Sequence, residues 1–405
     1  MDRDVARWLV SPQAQQYIAK AEAMDDPTSL RAGEVMRRDL AGERAAAVLD
    51  LVSLRRRAAT KLHGVPHPLF LTHDGLEQAT RWEVARWRAR AIAAHPVSTV
   101  TDLGCGLGID SLACLEEGLE VVGIERDPVT ALFAQANLGG TSSGASVLVQ
   151  AVEDTALDPT PGRGVYLDPA RRTAKGRSWK VSDLSPSWEF LGRLLDQGHD
   201  LCVAKLAPGF PRSLLPAHLD VTWVSHHHQL VETTLWSCPG STGQRSAVVL
   251  TPADPTEARL LVGEKPPPAG PIATYLYEAD PAVSRSGALG TLCAEIGAHP
   301  LSDHTAYLSS QHLVPTPFAV GFEVLDVMDY SPKALRSWAK RESIGALEIK
   351  VAGSIDVDPA ILRRSLNLRG SHQATVVLAS SAQGSKILQV RRLQPWQPSS
   401  REPSA

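Results

Sequence analysis

The chain is short of cysteine, of long apolar runs, of net charge and of aromatic residues, and each shortage removes a class of protein. Five cysteines are scattered over 405 residues, an odd number with no C-x-x-C pair. That pattern excludes a disulfide framework and argues against a zinc site. No stretch reaches the ~18 apolar residues of a membrane span, and Met1–Gln13 lacks the apolar core of a signal peptide, so a cytoplasmic chain is expected. A net charge of −3 carries no global signature of nucleic-acid binding, so any basic surface has to be local. Aromatics make up 5% of the chain, yet hydrophobic residues reach 43%, enough for ordinary globular cores. A chain this long exceeds one compact domain, and two or three are expected.

The most informative stretch runs from Val97 to Asp127. It reads as a strand over 97–103, a turn Gly104-Cys105-Gly106-Leu107-Gly108, a helix over 109–117, and a second strand over 120–124 that ends at Glu125. Glycines let backbone approach a ligand where a Cβ would clash. A carboxylate about 20 residues later can accept hydrogen bonds from ribose hydroxyls. A dinucleotide fingerprint needs G-x-G-x-x-G and room for a pyrophosphate. Here the spacing is G-x-G-x-G, and Asp102 stands two residues before the first glycine. That carboxylate repels a pyrophosphate and attracts a cation.

D-L-G-C-G-L-G followed by Glu125 resembles motif I and the next acidic loop of class I S-adenosylmethionine (SAM)-dependent methyltransferases. The resemblance implies a Rossmann-like, seven-stranded α/β core. It carries Asp102, Gly104, Gly106 and Gly108 to the methionine-binding turn and Glu125 to the ribose. Cys105 reads as a small buried filler. A third strand over 146–150 leads to Glu153 and Asp154; in this fold an acid there faces the adenine, which implies Asp154.

The apolar strand Gly164–Leu167 runs into Asp168-Pro169-Ala170-Arg171. Catalytic groups gather at the carboxyl ends of such strands. The stretch resembles motif IV, which is D/N-P-P-Y/F in many amino-group methyltransferases and D-P-P-R in some RNA base methyltransferases. Ala170 replaces the second proline and Arg171 the aromatic, which weakens the case for exocyclic-amine chemistry. Arginine can still stack or hold a phosphate. By this resemblance Asp168 or the Pro169 carbonyl accepts from an acceptor N–H, and Arg171 orients substrate. Arg172 and Lys175 read as substrate contacts or solvated charge. The fifth strand, His199–Lys205, places Lys205 at the active face; Cys202 sits mid-strand, buried and inert, which disfavours covalent pyrimidine C5 chemistry.

Residues 1–63 read as a helical N-terminal domain. Its basic end, Arg55-Arg56-Arg57 and Lys61, reads as compensation of a helix dipole or as a phosphate contact. Asp74–Ala94 has the pattern of one amphipathic helix. Within it L-E-Q-A-T, ending at Thr80, is similar to a segment of a bacterial methyltransferase family with a THUMP-like C-terminal domain. A threonine at a similar place lies near the cofactor in trimethylguanosine synthases, which the core resembles more distantly, so Thr80 is a candidate cofactor neighbour.

After Lys205 the segment K-L-A-P also resembles that family. Strands are expected over 221–225 and 230–237. The intervening His226-His227-His228 cannot present three ligands on one face, since alternate side chains diverge. Glu232 is a weak candidate for the cleft. A strand pair over 247–251 and 259–262 precedes the stiff linker Glu264–Pro271, which closes a core over 64–264. Residues 272–393 form a small α/β sandwich whose K-R-E-S-I-G-A-L-E-I-K and A-T-V-V-L-A resemble the THUMP-like domain; THUMP domains proper belong to RNA-modifying enzymes. From Ser331 to Trp396 eleven Lys and Arg face four acids, the excess that phosphate binding requires. The Pro- and Ser-rich end, 397–405, reads as a disordered tail.

The expectation is therefore a SAM-dependent methyltransferase that acts directly on a base nitrogen of RNA, bound through the basic C-terminal domain, with no metal and no membrane contact. The alternatives are a protein or small-molecule acceptor, with the C-terminal domain as a lid, or a non-catalytic SAM- and RNA-binding module.

Overall fold

The computed structural model describes residues 1–139, 144–171, 181–251, 254–303, 305–353, 355–381 and 384–394, without the side chains of 170, 171, 182 and 254–257. By contacts the chain divides into two units. The first holds Met1–Leu206, Phe210–Asp220 and Thr234–Thr242; the second holds Ala207–Gly209, Val221–Thr233 and Gly243–Ala405.

The first unit opens with four helices, α1 (Arg3–Leu9), α2 (Pro12–Glu22), α3 (Leu30–Arg37) and α4 (Gly42–Ala58). The caps follow the residues. Asp2 and Ser29 accept from Asp4 N and Ala32 N, worth about 1 kcal/mol each, and Pro12 starts α2, where its missing N–H costs nothing. α4 buries Val48, Leu51, Val52 and Leu54 against its neighbours.

The expected single helix over 74–94 is two: α5 (His73–Gln78) and α6 (Trp82–Ala93). Ala79 and Arg81 are extended, with ψ of 139° each. The break has a physical cause. Thr80 is almost fully buried and bonds inward, which one continuous helix would not allow. The apolar period continues across the break, so the pattern alone reads as uninterrupted.

Next come β1 (Thr99–Leu103), α7 (Ile109–Glu116), β2 (Glu120–Glu125), α8 (Pro128–Gly139), β3 (Ala145–Val149), β4 (Arg163–Leu167), α9 (Trp188–Asp196), β5 (Leu201–Leu206), β6 (Asp220–His226) and β7 (Gln229–Ser237). In the first unit β3, β2, β1, β4 and β5 pair in that order, all parallel. The second half of β7 follows β5. Alternating strands and helices give this arrangement, since parallel strands need crossovers and bury both faces.

In the second unit β6 lies beside the first half of β7, and this pair begins the unit's own part of the sheet. Two further strands extend it: β8 (Arg245–Thr251), parallel to β6, and β9 (Asp254–Leu261), antiparallel to β8. The unit continues with β10 (Tyr275–Ala279), two short helices over 281–286 and 289–296 split at Gly287, β11 (His299–Pro300), β12 (Tyr307–Ser310), β13 (Ala319–Asp329), α10 (Pro332–Arg341), β14 (Ile344–Ala352), α11 (Pro359–Ser365), β15 (His372–Ser381) and β16 (Gly384–Arg392). Gly287, at φ +92°, caps the first piece in a conformation that other residues avoid. The strand order of the second sheet is β11-β12-β10-β13-β16-β15-β14, and only β14 and β15 run parallel. Leu335 and Trp338 of α10, and Leu362 and Leu366, pack with Val376, Leu378 and Ile387 of the sheet.

The expected tail over 397–405 lies outside the described residues, as do Arg172 and Lys175.

Candidate active site

The glycine turn connects β1 to α7. Gly104 and Gly106 have φ of +80° and +55°, and a Cβ on either would have no atom of the described residues within 4 Å beyond its chain neighbours. The turn therefore shows bare backbone to an open side. Gly108, at φ +78°, begins α7 where a Cβ would press on Leu138. Cys105 is buried beside Gly123, whose absent Cβ leaves room for its sulfur; burial raises this thiol well above its ordinary range. Glu125, at the end of β2, accepts from Gly106 N at 3.2 Å and from Asp127 N at 2.8 Å. Asp102 is buried, accepts from Ser111 Oγ at 2.5 Å, and its carboxyl is pushed up to about 7, first by burial and then by the nearby Asp110.

A second cluster stands at the carboxyl ends of β4 and β5. Lys205 Nζ donates to Asp168 Oδ2 at 2.5 Å and to Thr80 Oγ1 at 3.1 Å. Thr80 Oγ1 donates to Asp110 Oδ2 at 2.9 Å. Asp110 also pairs with Arg88, a buried guanidinium that donates to the Tyr166 hydroxyl at 2.9 Å and lies over that ring. Asp168 Oδ2 is thus held by Lys205, while Oδ1 has no donor among the described residues; the side chain is one-third exposed. Pro169 is half-buried behind it.

The structure brings together Thr80, Asp168 and Lys205, which lie far apart in sequence. It joins Glu125 to the Gly106 turn. Asp154 stands exposed at the end of the short turn Val152–Asp154 that follows β3. The side chain of Arg171 lies outside the described residues. Sequence reasoning missed Asp110, Ser111, Arg88 and Tyr166. Asp110 and Ser111 follow the glycine turn directly, where an acid reads as a helix-dipole partner. Arg88 resembles any polar residue of an amphipathic helix, and no local signal marks it.

Other candidates resolve differently. Cys202 is buried in β5 and its thiol is pushed up to about 12, so it is inert. Glu232 is buried. His227 and His228 form the β6–β7 turn with φ of 52° and 56°, and His228 Nδ1 pairs with the buried Asp280 at 3.0 Å. Among the described residues no His, Cys, Asp and Glu cluster of metal-binding size occurs.

The donor set fits a nucleoside with a cationic amino-acid arm: exposed turn backbone, one carboxylate for an ammonium and one for vicinal hydroxyls. Comparison with known proteins decides which. Over 360 residues the chain is 34% identical to an uncharacterized SAM-dependent methyltransferase of Mycobacterium tuberculosis, found in strains CDC 1551 and H37Rv; the match covers 85% of this chain and 95% of that one. The chain belongs to the SAM-dependent methyltransferases. The cofactor is accordingly SAM, which supplies a methyl group activated on a sulfonium. Residues 319–392 match the family described as THUMP domain-like, and residues 2–58 match a domain of unknown function. The methyltransferase fold is shared with a crystal structure from Porphyromonas gingivalis W83, of a protein provisionally named a methyltransferase. It is 19% identical, with a TM-score of 0.76 over 97% of this chain and 100% of that one. No helix among the described residues is long and apolar enough to cross a membrane.

Proposed function

We propose that this methyltransferase transfers the methyl group of SAM to a base nitrogen of RNA by direct in-line displacement. The observation that carries the reading is the open Oδ1 of Asp168, on a carboxylate whose other oxygen is fixed by Lys205. A carboxyl oxygen left open at a strand end suits an N–H group. It accepts the hydrogen, turns the nitrogen lone pair toward the methyl, and takes up the proton as the N–C bond forms and the S–C electron pair stays on sulfur. Much of the acceleration comes from positioning two partners in one site. In this reading the Pro169 carbonyl shares the acceptor role and Arg171 orients substrate. Asp102, Gly104, Gly106 and Gly108 hold the methionine part, Glu125 the ribose and Asp154 the adenine, with Thr80 beside the cofactor. The working division is a helical segment over 1–63, a core over 64–264 and a THUMP-like domain over 272–393, in a cytoplasmic protein.

An open groove in the second unit supports RNA as substrate. It measures about 1120 Å³ and is lined by Arg363, Arg364, Arg391 and Arg392, with Gln373, Gln389 and Asn367 beside Leu325 and Leu368. Part of the local basic excess is neutralised: Lys350 pairs with Glu278, Lys386 with Asp329, Arg391 with Glu323, and Arg392 with Glu348, an acid that itself lines the groove. Arg363 and Arg364 have no carboxylate at ion-pair distance among the described residues, which leaves them to a polyanion.

The test is transfer of labelled methyl from SAM into total RNA from a strain lacking the protein, with wild type and Asp168→Ala side by side. Label in RNA that falls at least ~100-fold with Asp168→Ala is expected. No label in RNA from a wild-type protein that binds S-adenosylhomocysteine would overturn the RNA reading.

A further inference from the structure

Cations at the end of α4 and just after it grip another part of the same unit. Arg55 Nε donates to the Leu69 carbonyl at 2.8 Å. His73 is held from both sides, by Asp50 Oδ1 on Nε2 at 2.7 Å and by Arg57 on Nδ1 at 3.3 Å. Since Arg57 can only donate, Nδ1 accepts and Nε2 carries the hydrogen. Lys61 Nζ, half-buried, donates to the carbonyls of Leu76 and Glu77 at 2.7 Å each, which closes the last turn of α5. The neighbouring cations Lys205 and Arg81, after burial itself, lower this ammonium from its ordinary range.

The gripped segment, residues 69–80, touches both halves of the candidate site. Asn137 accepts from Phe70 N at 2.7 Å and donates to the Leu107 carbonyl of the glycine turn at 2.9 Å. Gly75 lies so close to Leu107 that a Cβ would stand 2.6 Å from its side chain. Three residues beyond the carbonyl of Glu77, Thr80 stands between Lys205 and Asp110.

We propose that the N-terminal helical segment over 1–63, with Lys61 just beyond the matched residues 2–58, is a positioning element of the transfer reaction. Through Lys61 it fixes the end of α5, so that Thr80 holds Lys205 Nζ on Asp168. In this reading the segment acts on the site through the chain's own hydrogen bonds. Its effect on turnover rests on the methyl-transfer reading above, whereas its effect on Thr80 does not.

The experiment uses the full chain as wild type, Lys61→Met, Lys61→Arg, Thr80→Val and the double variant Lys61→Met/Thr80→Val. Backbone hydrogen exchange of residues 76–80, calorimetric binding of S-adenosylhomocysteine and methyl transfer to the same total RNA are measured on each. In Lys61→Met, exchange at 76–80 is expected to rise at least ~10-fold while β1 and β4 stay protected. The transfer rate at saturating SAM falls ~10-fold and the dissociation constant for S-adenosylhomocysteine moves less than ~3-fold. Lys61→Arg restores both exchange and rate to within ~3-fold. The double variant is no more than ~2-fold slower than Thr80→Val, because both changes release the same hydrogen bond. Unchanged exchange in Lys61→Met overturns the proposal. So do rate losses that multiply in the double variant, or a Lys61→Met loss that appears only as weaker cofactor binding. If the wild type puts no label into RNA, the substrate reading has failed, and the exchange result still decides whether Lys61 positions Thr80.

Discussion

Among single residues, Asp102 is buried where its ionised form is costly. Its ordinary pKa is 3.8, and burial, with Asp110 next, pushes it up to about 7 in the folded chain. The folded state therefore binds this proton more tightly than the unfolded state. The contribution of Asp102 to stability is greatest below pH 4, falls as pH rises from about 4 to 7, and is lowest above 7, where the buried group is ionised. Asp102→Asn removes that cost. Without cofactor, the variant is expected to exceed wild type by ~2–4 kcal/mol at pH 8 and to match it at pH 4, by thermal melting across pH. Its affinity for SAM should fall at least ~10-fold, because the carboxylate that would face an ammonium is gone. Equal loss of stability and affinity at pH 8 would refute this account. Lys205 shows the other side of residue-scale chemistry. Its place at the end of an apolar strand was readable, but its two partners were not, since Thr80 lies 125 residues away and Asp168 lies 37 away.

At the scale of elements, the glycine turn and the break between α5 and α6 set the site. The turn was legible because its conformation is a local demand: positive φ at Gly104, Gly106 and Gly108 restricts the residue type directly. The break was not legible, because apolar spacing continues through it and only a buried hydrogen-bond partner makes the interruption favourable. Gly75 tests the contact between the two features. Gly75→Val places its Cβ where Leu107 and the Thr72 hydroxyl already are. The expected result is a loss of ~1–3 kcal/mol in denaturant unfolding, together with weaker S-adenosylhomocysteine binding as the turn yields. Full stability with unchanged binding would show that α5 can move without consequence for the turn. The basic residues at the end of α4 teach the same lesson. Composition offered a dipole partner or a phosphate site; Arg55, Arg56 and Arg57 do lie in the last turn of α4, but composition did not show that Arg55 and Lys61 reach the carbonyls of Leu69, Leu76 and Glu77.

For the whole molecule, the question is how a chain with a net charge of −3 could engage RNA. Charge in the THUMP-like region is not uniform, because acids from β10 and β13 pair with several of its cations. The groove arginines of α11 stand outside those pairs. Arg363→Glu/Arg364→Glu should weaken binding of total RNA at 50 mM salt and flatten its salt dependence by ~0.7 in log–log slope for each phosphate that is no longer held. Melting temperature and S-adenosylhomocysteine affinity should stay unchanged. An unaltered slope would place the RNA-binding surface elsewhere on the protein.

The parallel core, the glycine turn after β1, and the acids Glu125 and Asp168 at strand ends were readable from the chain alone. Each of these depends on local rules: alternation of strands and helices, conformations open only to glycine, and polar residues at the ends of apolar strands. The tertiary structure alone decided which side chains meet. It set Thr80 and Asp110 beside Lys205, buried Arg88 against Tyr166, turned the N-terminal cations onto α5 and left two groove arginines without a carboxylate at ion-pair distance among the described residues. Those outcomes depend on contacts between residues distant in the chain, and a hydrogen bond or ion pair leaves no periodic trace in sequence because either partner could have met another.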